Sequence, residues 1–185
     1  LADDEQGRTL YPRGHKPSPA ARRRTAMQIH TTRFGLVEID VADILLFPQG
    51  VIALEDCRHW VLLGDESNES LGWLQSVTRG EIALAVVSPR RFVPEYQVHV
   101  TRGQLATLEL SQFDAAYVLA IVSKCDGELA LNLKAPLLVN LDRRLGRQVI
   151  TTDEQPIAWH VSRTEHLSHT EHLSHTEPAV LRKSA

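Results

Sequence analysis

From Gln28 to Thr151 the apolar residues of this chain alternate with polar ones or form short unbroken runs, the period of strands rather than helices. Gln28–Thr32 reads as a first strand, Arg33-Phe34-Gly35 as a tight turn with glycine supplying a positive φ, and Leu36–Asp40 as the return. Ile44–Phe47 is a third short strand closed by Pro48-Gln49-Gly50, an order that suits a type II-like turn. Trp60–Leu63 follows as a buried strand. Leu71–Val77 and Ile82–Val87 flank Thr78-Arg79-Gly80-Glu81, and the second run, apolar on both faces, belongs in the middle of the sheet. Tyr96–Val100 alternates and puts His99 on the face opposite Val98 and Val100, toward solvent. Gly103–Leu110 is spaced for a short helix. Ala115–Val122 is a second fully apolar strand, and Asp126-Gly127 is a hairpin turn.

The stretch Leu129–Ile150, LALNLKAPLLVNLDRRLGRQVI, organises the rest. Leu129, Leu131 and Leu133 alternate with Ala130, Asn132 and Lys134, as on a half-buried strand. Pro136 cannot donate to a ladder, so Ala135-Pro136 marks an edge, a bulge or a bend. Leu137-Leu138-Val139 resumes the strand, Asn140–Gly146 reads as a basic turn, and Gln148–Thr151 as the start of the return. The full set is about nine or ten short strands, spaced roughly 8–15 residues apart, with one or two helical turns. That pattern predicts an all-β fold, a small antiparallel β-barrel-like domain, since closure hides the edges that so many short strands would expose.

Several of these segments carry a family resemblance. "NLKAPLLVN" followed by "LGRQVI" resembles the C-terminal signature of the flagellar assembly factor FliW family. "RFGLVEID", "LLFPQG", "LGWLQSV", "IALAVVSP" and "EYQVHV" resemble its earlier segments in the same order, over about Met27 to Ile157. The chain departs from the family once: a Gly-Phe-Glu-like segment commonly follows the Pro-x-Gly turn, and Ala53-Leu54-Glu55 stands here, which changes that loop and any partner contact of its aromatic ring.

Composition adds domain limits. In 185 residues with 43% hydrophobic content there is material for one core, flanked by tails. Residues 1–26 read as a disordered N-terminal extension, 27–160 as the barrel domain and 161–185 as a His-rich repeated disordered tail. Met27 is the only methionine and stands where the strand pattern begins, so a native start at Met27 is expected. Arg22-Arg23-Arg24 is too short a basic run to hold phosphates well. Residues 27–160 hold 17 acidic and 11 basic residues, a net charge of −6, which disfavours nucleic acid and suits a basic protein partner. No signal-peptide core and no membrane-spanning run is present, so a cytoplasmic protein is expected.

Candidate chemistry is sparse. Cys57 and Cys125 are far apart and read as reduced, structural thiols. His59 beside Asp56 and Cys57 lacks the spatial logic of a catalytic pair. The loop Gly64–Ser70 holds Asp65, Glu66 and Glu69 but not the order of a calcium loop. His166, His169, His172 and His175 recur every three residues in the tail repeat and are weak metal candidates; none is expected in the folded domain. No phosphate-cradling loop or paired-carboxylate motif appears, so a binding module without cofactor is expected rather than an enzyme.

The family resemblance implies a mechanism. Proteins of this family bind flagellin and also CsrA, a small basic RNA-binding repressor of flagellin translation; export of flagellin frees the protein to occupy CsrA. The resemblance therefore implies flagellin and CsrA as partners; the acidic charge and the lack of a membrane-spanning run lead us to expect no direct contact with nucleic acid or membrane, and a closed barrel with polar loops favours a monomer. Asn132, Lys134, Pro136 and Asn140 match the family motif and are candidate contacts, although the same residues could serve only to shape the kink. Asp65, Glu66 and Glu69 are electrostatic candidates for the basic partner. The alternative is a barrel used for a small ligand, its cavity lined by Ile82–Val87 and Ala115–Val122.

Overall fold

The computed structural model describes residues 25–110, 116–161 and 181–183. The expected extension before Thr25, the triplet Arg22–Arg24 and the tail residues His166, His169, His172 and His175 lie outside the described residues. In chain order the strands are β1 (Ala26–Thr31), β2 (Gly35–Asp40), β3 (Leu45–Leu46), β4 (His59–Gly64), β5 (Leu71–Ser76) and β6 (Ala83–Val87). After these come β7 (Val98–Val100), the helix α1 (Arg102–Ala106), β8 (Tyr117–Cys125), β9 (Glu128–Asn140), β10 (Leu145–Gln148), β11 (Trp159–His160) and β12 (Leu181–Lys183).

Seven of these strands close into a ring. The order is β10-β3-β4-β5-β6-β8-β9, and β9 pairs back onto β10. Every pairing in the ring is antiparallel except the seam between β3 and β10, where Leu46 and Leu145 face each other in parallel. The expected all-β barrel is thus the observed fold, with one parallel seam.

Alternation along the strands builds three apolar layers. Trp60, Leu74, Val86, Leu137 and Val139 point inward and pack with Phe47, Leu45 and Cys57. Leu84, Leu119 and Ile121, from the two runs that would line a cavity in the small-ligand alternative, are partly buried and pack against this cluster. Val61, Leu63 and Trp73 point outward from β4 and β5 and are covered by Ile29 and Ile39 of the β1–β2 hairpin. Val118, Ala120, Leu131 and Leu133 point outward from β8 and β9 under Tyr96, β7 and α1. The barrel is therefore flanked by a hairpin on one side and a strand-helix flap on the other. The helix begins on a capping box between Thr101 and Gln104.

The kink at Ala135-Pro136 is a bulge. Leu119 pairs with Leu137 and Ile121 with Asn132, so two steps along β8 match five along β9. An odd excess of residues reverses which face the side chains take. Leu131 and Leu133 accordingly face the outer layer, while Leu137 and Val139 face the barrel interior. β9 serves two cores because this bulge switches its phase.

Three local expectations are corrected. The basic turn is shorter than Asn140–Gly146: Asn140 pairs with Leu145, Arg144 takes the left-handed conformation (φ 56°), and the return strand starts three residues before Gln148. Gly146 lies within that strand, opposite Val139, and Phe47 occupies the space that a side chain there would fill. In the Pro48 turn, Gly50 N donates to Phe47 O and the positive φ is at Gly50 itself, the last position; a type II turn would need it at Gln49. His99 is half-buried rather than solvent-facing, because Asp153 reaches it from the segment after β10. The Asp126-Gly127 turn has both residues at positive φ, as a two-residue hairpin loop requires.

Candidate partner-binding surface

The motif residues of β9 first solve a backbone problem. A four-residue bulge leaves the ladder, so its main-chain groups need other partners. Leu133 N and Lys134 N both donate to Pro156 O. Tyr96 Oη donates to Leu133 O at 2.6 Å, Thr151 N to Lys134 O at 3.0 Å and Val149 N to Pro136 O at 3.0 Å. Ala135 N donates to Asn132 Oδ1 and Gln148 Nε2 to Ala135 O, each at 2.9 Å. Pro136 has no donor to satisfy, so every polar main-chain group from Leu133 to Pro136 is bonded.

Asn140 acts similarly at the other end of β9. It is buried; its Nδ2 donates to Leu108 O at 2.8 Å, and its Oδ1 accepts from Asp142 N and Arg143 N. That ties the turn before β10 to the end of the α1 flap. Of the four motif candidates, Asn132, Pro136 and Asn140 spend these contacts inside the molecule. Lys134 is half-exposed, and its Nζ donates to Asp153 O at 2.6 Å. Ile150 and Ile157, next to residues bonded to the Lys134 main chain, are exposed, so this end of the barrel presents a cation flanked by apolar side chains.

The acidic candidates sit together in the β4–β5 loop, separated from β9 by β6 and β8 in the sheet. Asp65 Oδ1 accepts from Ser67 N and Ser67 Oγ, and its Oδ2 accepts from Trp73 Nε1 at 2.9 Å. The hydrogen bonds from Ser67 and then Trp73 hold its carboxyl below the usual carboxylate range. Asn68 Oδ1 accepts from Ser70 N and closes the loop further. Glu66 and Glu69 are exposed on this fixed frame. Asp65 builds the loop, and Glu66 and Glu69 project from it.

Two neighbours of this loop escaped the sequence reading. The Arg33 guanidinium lies 3.6 Å from the centre of the Trp73 ring, and Phe34 packs edge-on to the same indole at 5.9 Å between centroids. The hairpin tip is thereby clasped over the base of the acidic loop. Forty residues separate the partners, so no local spacing announces them; a basic-aromatic pair at a predicted hairpin tip is the only sequence signal.

Asp153 was missed as well. Its Oδ2 accepts from His99 N (2.9 Å) and Thr151 Oγ1 (2.6 Å), and its Oδ1 is 2.6 Å from His99 Nδ1. Burial alone would raise its pKa, but the hydrogen bonds from Thr151 and His99 outweigh it and the net direction is down. Burial, with Asp153 nearby, pushes the Tyr96 hydroxyl well above the ordinary tyrosine range, so it stays a donor to the bulge. Both cysteines carry free thiols, Cys57 in the interior and Cys125 at the β8–β9 turn. The arrangement offers a fixed acidic loop and a separate cation-and-apolar patch.

Comparisons with known proteins agree over the region that forms this barrel. A family model described as "FliW protein" matches residues 28–161. The chain is 39% identical over 129 residues to "Flagellar assembly factor FliW" of Bdellovibrio bacteriovorus, covering 69% of this chain and 74% of that protein. It is 32% identical to the protein of the same description from Natranaerobius thermophilus, covering 67% and 84%. A solved structure, "Crystal structure of the flagellar assembly factor FliW", superposes with a TM-score of 0.68 at 27% identity, covering 72% of this chain and 96% of that one.

Proposed function

The chain belongs to the FliW family of flagellar assembly factors, and from that premise we propose that it works in the cytoplasm by holding protein partners, flagellin and the translational regulator CsrA, without catalysis and without a cofactor. Flagellin and CsrA compete for it. While unexported flagellin occupies the protein, CsrA is free to repress flagellin mRNA; once flagellin leaves, the protein takes up CsrA and repression lifts. Such a switch is a linkage of two binding equilibria and needs no covalent step.

The observation that carries the CsrA half is the braced β4–β5 loop. It holds Glu66 and Glu69 outward on a domain that carries 17 acidic against 11 basic residues. A preorganised pair of carboxylates loses little freedom on binding a basic partner, and it repels RNA phosphate from that partner's surface. The patch of Lys134, Ile150 and Ile157 is the second contact we assign, with Asn132, Pro136 and Asn140 shaping its support.

Calorimetric titration with CsrA and flagellin from the same genome, separately and in competition, tests the reading. Displacement of one by the other is expected; binding of neither would refute it. Reversing Glu66 and Glu69 together to lysine, with Asp65 kept to hold the loop, should weaken CsrA about tenfold at low salt and much less at high salt. Unchanged affinity at low salt would remove this loop from the interface.

A further inference from the structure

β7 is three residues long and lies outside the barrel ring. In a strand, one residue's N–H and C=O point to one side, and those of its two neighbours point to the other. His99 uses one side: its N–H donates to Asp153 Oδ2, and its C=O lies 3.2 Å from Thr151 Oγ1, whose single hydroxyl proton it shares with Asp153 Oδ2. The main-chain groups of Val98 and Val100 therefore face the opposite edge. That edge is taken by β12, in parallel, with Leu181 opposite Val98, Arg182 opposite His99 and Lys183 opposite Val100. Among the described residues β12 is the only strand paired with β7.

We propose that this outer edge of β7 is a strand-acceptor site, filled in cis by the chain's own C-terminal segment Leu181–Lys183 and open in trans to an extended peptide of the same sequence. Three observations support it. The edge is rigid, since Asp153 and Thr151 fix β7 from behind and Val98 and Val100 are buried in the outer core. The chain arrives close by: Val161, which bonds Leu129 O, belongs to the same apolar cluster as Val98 and Val100. The 19 residues numbered 162–180 then allow a parallel return, which a tight turn cannot make. Recognition would run through main-chain hydrogen bonds, the mode of strand addition to a sheet edge. An edge closed in this way is also shielded from pairing with other molecules.

In the parallel register Arg182 donates to Val98 O and accepts from Val100 N, so proline at 182 removes the central donor. The test is amide hydrogen exchange on the full chain and on Arg182→Pro, resolved to single residues by NMR. The Val100 amide should exchange at least tenfold faster in R182P, while His99, bonded to Asp153, keeps its protection. A synthetic peptide of residues 176–185, TEPAVLRKSA, added to R182P at millimolar concentration should restore protection at Val100, because a contact made within one chain competes at an effective concentration of about millimolar. Equal exchange at Val100 in both full-length proteins would overturn the cis contact. Failure of the peptide to restore protection would overturn the acceptor site.

Discussion

The seam of the barrel can be tested at Gly146. This residue sits on β10 opposite Val139, where the parallel pairing of β10 and β3 closes the ring. A Cβ placed there would lie 2.1 Å from Phe47 Cε2 and 2.2 Å from Phe47 Cζ. Phe47 is completely buried and packs edge-to-face on Trp60 at 6.4 Å, so the ring has no empty space to enter. Gly146 is not at a positive φ, and the backbone itself would accept alanine. Gly146→Ala should therefore act through overpacking, at the upper end of about 1–3 kcal/mol. For a domain of this size that corresponds to a fall in Tm of roughly 6–10 °C. Phe47→Leu alone should cost about 1–2 kcal/mol by loss of ring contacts. The double variant should lose about 1–2 kcal/mol less than the sum, because the smaller side chain makes room for the methyl. Urea unfolding of the four proteins, followed by tryptophan fluorescence, measures this coupling. Additivity within about 0.5 kcal/mol would refute the clash as the reason for glycine in the LGRQVI segment.

Two further substitutions separate backbone from charge effects. Ala53 sits at φ 67° in an exposed loop, so Ala53→Gly should stabilise by roughly 0.5–1 kcal/mol, read as a higher urea midpoint with unchanged slope; a lower midpoint would show that the loop carries no strain. Asp153 has a lowered pKa in the folded state, so its contribution is present above the unfolded value of about 3.9 and is lost as pH falls through the folded value. Asp153→Asn should accordingly cost roughly 1–2 kcal/mol at pH 7, and the gap from the parent should close below about pH 4; a gap independent of pH would contradict a role for the carboxylate charge.

Elements whose cause is local were readable from the residues in order. The hairpin from Ala26 to Asp40, the turn at Asp126-Gly127, the central apolar strands and the interruption at Ala135-Pro136 all follow from side-chain alternation, glycine and proline. The ordered segments also carried the family, because they are the parts of the chain that build the barrel. Other features needed distant residues to meet. That the proline kink reverses the phase of β9 depends on its pairing with β8, and its satisfaction depends on Tyr96, Gln148 and Pro156. The return strand begins at Leu145 because that residue pairs with Asn140 and Leu46, and glycine follows it because Phe47, far upstream, fills the space beside Gly146. The same holds at the surface: the run Asp65, Glu66, Glu69 looks uniform as a sequence, yet Trp73 and Ser67 turn Asp65 into a brace and leave the two glutamates to project. His99 shows it most simply, since strand alternation assigns it to solvent and Asp153 from another segment covers it. Alternation decides which way a side chain points, whereas what it meets there is decided by the closure of the barrel and by the segments packed on its two flanks.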